Sequence, residues 1–581
     1  MMDEPYGSMN EGMNPAITVG YRNTVPGRFP SRNTALGVNA EAQVPSGILC
    51  RFAAAYILAS LEKFLAESGG VRAGDDIEPL HRMRVASRRL RAGLRTFRVC
   101  IPGKYYRRIN SETQAITRAL GEARDADVQI AFLKKARKKA SVTRGQAGKG
   151  GADIQDPLLE AIEFLYGRLR KDRSRFQKNV LVALEKVEKK NLHEFLDRAG
   201  LPHSPATNRR RQRNPSSLTC LAADQIGRCY ADLVAYEPWL QYPDATAEHH
   251  AMRIAAKNLR YTMEVFAPVY RLGLRKYISR IARLQKLLGD LHDTDVWIDT
   301  VTLLLLKERS RPRSPRDSNR PGPSVIAGLK VFQNHRERDR KRLYRKAVQH
   351  WNSLSRAHFW EDLTREVLEN QRVRYRYQSS LSDTEVRENV QKAMRTSQEI
   401  EAHSRHVAML SLQLFDHLME IHHLSKRERT WLEFGAFLHD VGLKEGKKGH
   451  AKRSSALISM DERLPFSILE RGVIGVLAHS HRGRGSFGRS GFYRLLPEQE
   501  QYAVRVAAGI LRVADGLDGT HRGKIESLAC EVSADEICLT VSARSDCSRE
   551  ISMALSKADL FEHTCMKILK IRQAAPLQGS P

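Results

Sequence analysis

From about Pro45 to Arg356, apolar positions recur with a helical period nearly throughout, in long stretches parted by short breaks. The pattern is clearest in a segment that occurs twice. HRMRVASRRLRAGLRTF begins at His81 and HAMRIAAKNLRYTMEVF at His250. At about 100° per residue, Met83, Ala86, Leu90, Leu94 and Phe97 fall on one narrow arc. His81, Arg84, Arg88, Arg91 and Arg95 fall on another. In the second copy Met252, Ala255, Leu259, Met263 and Phe266 form the apolar stripe, and His250, Arg253, Lys257 and Arg260 the basic one. A helix that seats one face in a core and holds a row of cations on another suits a polyanion.

The repeat extends further. LGEARDADV at Leu120 and LGDLHDTDV at Leu288 are expected to end a second helix in each half. His81 and His250 stand 169 positions apart, and Asp125 and Asp293 stand 168 apart. Long basic helices follow, from Asp156 to Leu184 and from Ser324 to Trp351. Two four-helix-like halves related by an internal pseudo-twofold are therefore predicted, over about 45–205 and 215–365. Exposed loops are expected around Gly150, around RRRQRN at Arg209 and from Ser310 to Ser324. Residues 1–44 lack periodicity and read as disordered, and 366–382 as a linker. From Asp383 the helices carry less charge. A module over 383–581 should end in two strands turning at Ser533–Glu536 and a helix from Lys557 to Ile571. The fold class is mainly α: a duplicated helical bundle, then an α-helical module with a small β hairpin.

Charge sharpens the partner. The 581 residues carry a formal net charge of +30, which calls for nucleic acid, inorganic polyphosphate or an anionic surface. The basic stripes hold few aromatics for base stacking, so a general nucleic-acid binder is the weaker alternative. The eight cysteines form no CxxC pair, and reduced, buried thiols are the default. No apolar run is long enough to span a bilayer. A cytoplasmic protein is expected, with no membrane partner.

The HxMRxAxxxLR and LGxxxDxDV texts, each present twice in the same order, resemble the CHAD family of conserved-histidine α-helical domains. The resemblance implies an all-helical, two-half domain that binds inorganic polyphosphate, and an association with polyphosphate granules. By position it assigns His81, Arg84, Arg88 and Arg91 to the first motif and His250, Arg253, Lys257 and Arg260 to the second. Asp125, Asp127, Asp293 and Asp295 match the acidic motif. They would orient arginines, cap helices or form purely structural pairs. The second copy departs at His292, where the first has Arg124, and at Glu264, opposite Arg95, which implies weaker anion binding there.

The later module holds His403 and His406, the dyad His439–Asp440, His450, His479, His481, Asp515 and Asp518. The order H…HD…D is similar to the HD pattern of metal-dependent phosphohydrolases. SRHVAMLSLQLFDHL, AFLHDVGL, GHAKRSSALI, VLAHSHRG and ILRVADGLDGTHRG resemble the C-terminal domain of the exopolyphosphatase/guanosine-pentaphosphate phosphatase family. That resemblance implies a divalent ion (Mn, Mg, Fe, Co or Zn) on His403, His439, Asp440 and Asp515, with His439 and Asp440 catalytic. His406 is the alternative to His403. His450 with His479 or His481 would hold a second ion or the substrate phosphate. Lys444, Lys447, Lys448, Arg453, Arg482 and Arg512 are candidates to neutralise phosphate charge. The family pattern places a histidine where this chain has Arg453, and its phosphatase chemistry in an actin-like region that this sequence lacks. A phosphohydrolase acting on polyphosphate or a nucleotide is expected. The alternative is a non-catalytic polyphosphate scaffold in which this module dimerises the chain.

Overall fold

A computed structural model describes residues 47–146, 156–189, 194, 216–270, 273–310, 321–369, 382–393, 397–461, 463–482, 487 and 490–574. The expected disordered start, the gap at 209–214 and most of the 366–382 linker lie outside them. So do the centres of the Gly-rich and Pro/Ser-rich loops.

Each half of the repeat contributes four principal helices. The first has α1 (Gly47–Leu65), α3 (Glu78–Thr96), α4 (Gly103–Gln146) and α5 (Pro157–Lys189), with the short α2 (Ser68–Ala73) between the first two. The second has α6 (Ser216–Val234), α7 (Thr246–Phe266), α8 (Arg275–Ser310) and α9 (Pro323–Arg356). Proline in the first turn sets the starts of α3 and α9. The two apolar stripes are buried as the wheel requires: Met83, Leu90, Leu94 and Phe97 in α3 and its end, and Met252, Leu259, Met263 and Phe266 in α7. One expectation changes. The LGxxxDxDV texts lie inside α4 and α8 rather than ending them, because the helical period continues on both sides. Their aspartates therefore cap nothing.

α10 (Phe359–Glu369) closes the first module. The second module contains α11 (Asp383–Ala393), α12 (Gln398–His417), α13 (Met419–His422), α14 (Lys426–Leu438), α15 (His450–Met460), α16 (Ile468–Ser480), α17 (Gly491–Leu495) and α18 (Glu498–Leu517). Capping boxes at Ser425–Glu428 and Ser467–Glu470 start α14 and α16. β1 (Ile525–Val532) and β2 (Glu536–Ala543) form the expected antiparallel hairpin. The final helix is shorter than expected. α19 (Ser548–Leu555) and α20 (Asp559–Cys565) precede β3 (Ile568–Gln573), which pairs parallel to β2. The alternation in ILKIRQ supports a strand once β2 offers it an edge.

The modules share one buried apolar core that runs from Leu49 to Leu569. At their junction Gly491 N donates to Asp224 Oδ1 at 3.0 Å. A β-carbon on Gly491 would lie 1.9 Å from the Asp224 carbonyl oxygen, and one on Gly227 would lie 2.2 Å from that of Gly491. Two facing glycines thus let α6 and α17 touch backbone to backbone. Cys50 and Cys100 are joined as a disulfide, contrary to the expectation of eight reduced thiols. Nothing in their 50-residue separation signals the pairing, which arises because α1 packs along α3.

Candidate functional sites

The first candidate surface is built by α3 and α7. Their basic stripes converge. Lys257 interacts electrostatically with Arg84, Arg88 and Arg91 of the first copy as well as with its neighbour Arg253. Burial first, then these four guanidinium groups, bring its ammonium down to about 7. Burial also lowers Arg84, Arg91 and Arg253. The buried Nε atoms of Arg84, Arg91 and Arg253, and Nδ1 of His81, have no hydrogen-bond partner. Desolvated cations with unmet donors are costly. An anion that accepts from them removes that cost.

The acidic motif holds these cations in place. Arg84 Nη2 donates to Asp125 Oδ1 at 2.9 Å. Arg173 of α5 donates to the buried Asp127 at 2.6 Å, and Arg340 of α9 to Asp295 at 2.6 Å. The last two pairs are repeat equivalents. Sequence reasoning missed Arg173 and Arg340, although their 167-residue spacing follows the repeat.

The copies differ where the sequence departs. His81 is held below its usual range by burial and then by Arg124, the cation facing it from α4. In the second copy His250 Nδ1 meets His292 Nδ1 at 3.0 Å. Burial and Arg253 push these rings down to about 4 and about 3, so both are neutral at pH 7. Glu264 engages Arg89 and Arg260 at 3.4 Å each, neutralising part of the second stripe. Asp293 is raised to about 6 by burial, against the pull of Arg253. Arg95 is half-buried on the same face as Arg91.

The second candidate site is a histidine–aspartate cluster between α12, α14, α15, α16 and α18. Asp440 lies at its centre. Its Oδ1 is 3.1 Å from His450 Nε2 and 3.5 Å from His481 Nε2, while Oδ2 is 3.6 Å from His439 Nε2. Asp515 Oδ1 is 3.5 Å from His403 Nε2 and 3.7 Å from His439 Nε2. Every one of these side chains is buried. The Nδ1 atoms of His439, His450 and His481 are tied to the carbonyls of Ala436, Lys447 and Ala478 at 2.6, 2.8 and 2.7 Å. His403 Nδ1 is tied to Asp518 Oδ2 at 2.8 Å. With Nδ1 as the donor, each ring turns an Nε2 lone pair inward, the arrangement that orients metal-binding imidazoles. The facing His403 Nε2, His439 Nε2 and Asp440 Oδ1 have no hydrogen-bond partner. His403, His439 and Asp440 form one ligand group with all donor atoms within 4.8 Å, and Asp440, His450 and His481 form another. The donor set fits a borderline divalent ion. Burial opposes ionisation of Asp440, but the neighbouring imidazoles of His450, 3.1 Å away, and His439 hold its carboxyl well below the usual range.

His403, rather than His406, faces the cluster. His406 spends Nε2 on the Ile525 carbonyl at 2.7 Å and sets Nδ1 3.2 Å from Asp518. Of the two nearby histidines, His481 joins the cluster and His479 belongs to neither ligand group. Lys444, Lys447, Lys448 and Arg482 are exposed. Arg453 bonds the carbonyls of Gly442, Gly446 and Lys448, so it braces the loop before α15. Arg512 is spent on Asp559 at 2.5 Å. Lys557, absent from the sequence reading of the site, donates to Asp515 Oδ2 at 2.5 Å. His521, also missed, stacks on His403 with centroids 3.7 Å apart.

Residues 55–302 match the CHAD domain, and residues 386–563 match domain III of the Ppx/GppA phosphatases. The chain carries both domains in that order. Among solved structures it is similar to the CHAD domain from the plant Ricinus communis, at 23% identity over 56% of this chain and 97% of that one, with a TM-score of 0.36. It is also similar to PptA from Streptomyces chartreusis, at 17% identity over 53% of this chain and 99% of that one, with a TM-score of 0.34. No curated protein matches the chain. Among the described residues no helix is long and apolar enough to cross a membrane.

Proposed function

We propose that the chain captures inorganic polyphosphate on the paired basic helices and hydrolyses a phosphoanhydride or phosphoester bond at the histidine–aspartate cluster. The observation that carries capture is the meeting of Lys257 with Arg84, Arg88 and Arg91 across the repeat, beside guanidinium nitrogens without partners. Polyphosphate presents a charge at every phosphate and no bases to read. It needs spaced guanidinium forks and little else. Resemblance to the CHAD family supports the same ligand. Affinity should fall steeply with salt. Duplex DNA or RNA should not displace polyphosphate at equal phosphate concentration.

For hydrolysis, His403, His439, Asp440 and Asp515 would hold a divalent ion, with His450 and His481 completing a second position around Asp440. A bound ion supplies Lewis acidity and lowers the pKa of water. The chain's own part is orientation. Three backbone carbonyls and Asp518 fix the imidazoles, and Lys557 fixes Asp515. Exposed Lys444, Lys447 and Arg482 would neutralise substrate phosphate. The test is phosphate release from long-chain polyphosphate with Mn or Mg, for the intact chain beside His439→Ala and Asp440→Ala. Activity that is lost in both variants supports the reading. Activity indifferent to both overturns it.

A second reading rests on one observation. The Ppx/GppA match covers domain III alone, so the module would instead serve a non-catalytic polyphosphate scaffold or a homodimer at granules. A purified chain that binds no divalent ion would favour it.

A further inference from the structure

The turn that leaves α18 carries an imidazole to the histidine–aspartate cluster from the solvent side. His521 is exposed, whereas His403, His439, His450 and His481 are buried. Its ring lies flat on that of His403, with centroids 3.7 Å apart and planes 19° apart. It interacts electrostatically with Asp440 and Asp515. Yet it belongs to neither ligand group, and its ring nitrogens make no hydrogen bond to any described residue. The turn beneath it is firmly held. His521 N donates to the Asp518 carbonyl at 2.8 Å, and Gly523 N to the Asp518 carboxylate at 2.9 Å. Thr520 donates to the buried Glu550 of α19 at 2.6 Å, and Lys524 reaches the same carboxylate at 3.1 Å. His521 and Gly523 both take left-handed backbone, at φ 58° and 56°, as tight turns demand.

Given hydrolysis at the cluster, on which this reading rests, we infer that His521 contacts the phosphate group of the substrate, its ring N–H donating to a non-bridging oxygen. The buried imidazoles are already committed. Each spends Nδ1 on a carbonyl or on Asp518 and turns Nε2 inward, which leaves none to bond the phosphate oxygens that an ion does not reach. Two of the candidate cations are spent as well, Arg453 on carbonyls and Arg512 on Asp559. His521 has nitrogens to spare, a stiff turn below it and a stack that holds its ring, so the donor is in place before the substrate arrives. Covering His403 needs only a flat ring, whereas this ring also offers an N–H at the solvent side. The contact is made to the phosphate and not to what the phosphate is joined to. Polyphosphate and a nucleotide phosphate would therefore both use it.

The test is steady-state phosphate release from tripolyphosphate by the full chain with Mn. Calorimetry runs beside it, with Mn titrated into the metal-free chain and inorganic phosphate into the Mn-loaded chain. His521→Phe keeps a ring over His403 and removes both nitrogens. It should raise KM at least about tenfold, the worth of one hydrogen bond to a charged group, with kcat little changed. Phosphate affinity should fall in step, while Mn affinity stays that of the parent. His521→Asn adopts left-handed backbone readily but is too short to reach the same oxygen. It guards against a folding defect and should behave as His521→Phe does. Unchanged KM and phosphate affinity in both variants overturn the inference. So does a fall in Mn affinity that accounts for the loss, which would make the ring a support of His403 alone. A parent chain that neither binds Mn nor releases phosphate overturns the hydrolytic reading, and this inference with it.

Discussion

Phe97 and Phe266, which hold the same position in the two copies of the repeat, touch each other edge to face with ring centroids 5.8 Å apart. Both are fully buried. The pseudo-twofold relation thus passes through a self-matching contact at the ends of the two apolar stripes. This contact sets the approach of α3 to α7, and so the approach of one basic stripe to the other. Phe266→Ala should cost about 3–5 kcal/mol of stability, seen as a lowered denaturation midpoint. Polyphosphate affinity should fall in the same variant although no cation is removed. Unchanged affinity at temperatures where the variant is folded would show that the stripes are positioned by other contacts.

The pH dependence of capture follows from Lys257. Free Lys257 titrates at about 7 because burial and the guanidinium groups of Arg88, Arg253, Arg84 and Arg91 disfavour its charge. A bound polyanion favours the ammonium and raises that value. Above pH 7 binding must therefore take up a proton. Affinity should decline as pH rises from 7 to 9, by up to about tenfold per unit. His250 and His292, at about 4 and about 3, stay neutral across this window, and Asp293, at about 6, stays largely ionised. Lys257→Arg should flatten the profile. A wild-type profile that is already flat would remove Lys257 from the site.

The matched pairs Asp127–Arg173 and Asp295–Arg340 tie the third principal helix of each half to its fourth. Their carboxylates are nearly buried. Arg340→Ala strands Asp295 and should cost about 3–5 kcal/mol. Replacing both partners with apolar residues should recover most of that loss. Chemical denaturation of the single and double variants checks it. Equal destabilisation in both would mean that the pair itself, rather than the stranded charge, carries the effect.

How much of this was legible in the sequence depended on periodicity. The stripes of α3 and α7 could be read because one residue in three or four meets the same face, and because two motifs repeat at nearly one offset. The same signal failed at the chain's end. Helical α20 runs almost directly into β3, and only pairing with β2 decides that Ile568–Gln573 is extended. Within the cluster, His439 and Asp440 were readable as a dyad. The choice of His403 over His406 came from the family resemblance and not from the residues themselves, because one helical turn separates them and their roles depend on Asp518 and the Ile525 carbonyl. Lys557 and His521 reach the cluster through contacts that leave no local pattern.

The module junction leaves no room for a side chain at Gly491. A methyl group on Gly491 would sit 1.9 Å from the Asp224 carbonyl oxygen, a rigid neighbour that cannot turn aside. Gly491→Ala should force α17 off α6 and expose part of the shared core. Limited proteolysis should then cut between the modules faster than in the parent chain. Calorimetry should resolve two transitions where the parent shows one. If a single transition persists, the remaining interface is enough to bind the modules together.

Metal binding provides the sharpest separation of roles within the cluster. His403 turns Nε2 toward His439 and Asp440, whereas His406 uses Nε2 on a backbone carbonyl and stands beside Asp518. His403→Ala should lower divalent-ion affinity at least about tenfold, since it deletes a ligand. Asp518→Asn keeps the ring in place but weakens its support, and should cost about 10–100-fold through orientation alone. His406→Gln, which can still reach the Ile525 carbonyl, should leave ion affinity close to that of the parent chain. Calorimetric titration of the metal-free protein with Mn or Zn measures all three. Greater loss in His406→Gln than in His403→Ala would reverse the assignment and make His406 the ligand.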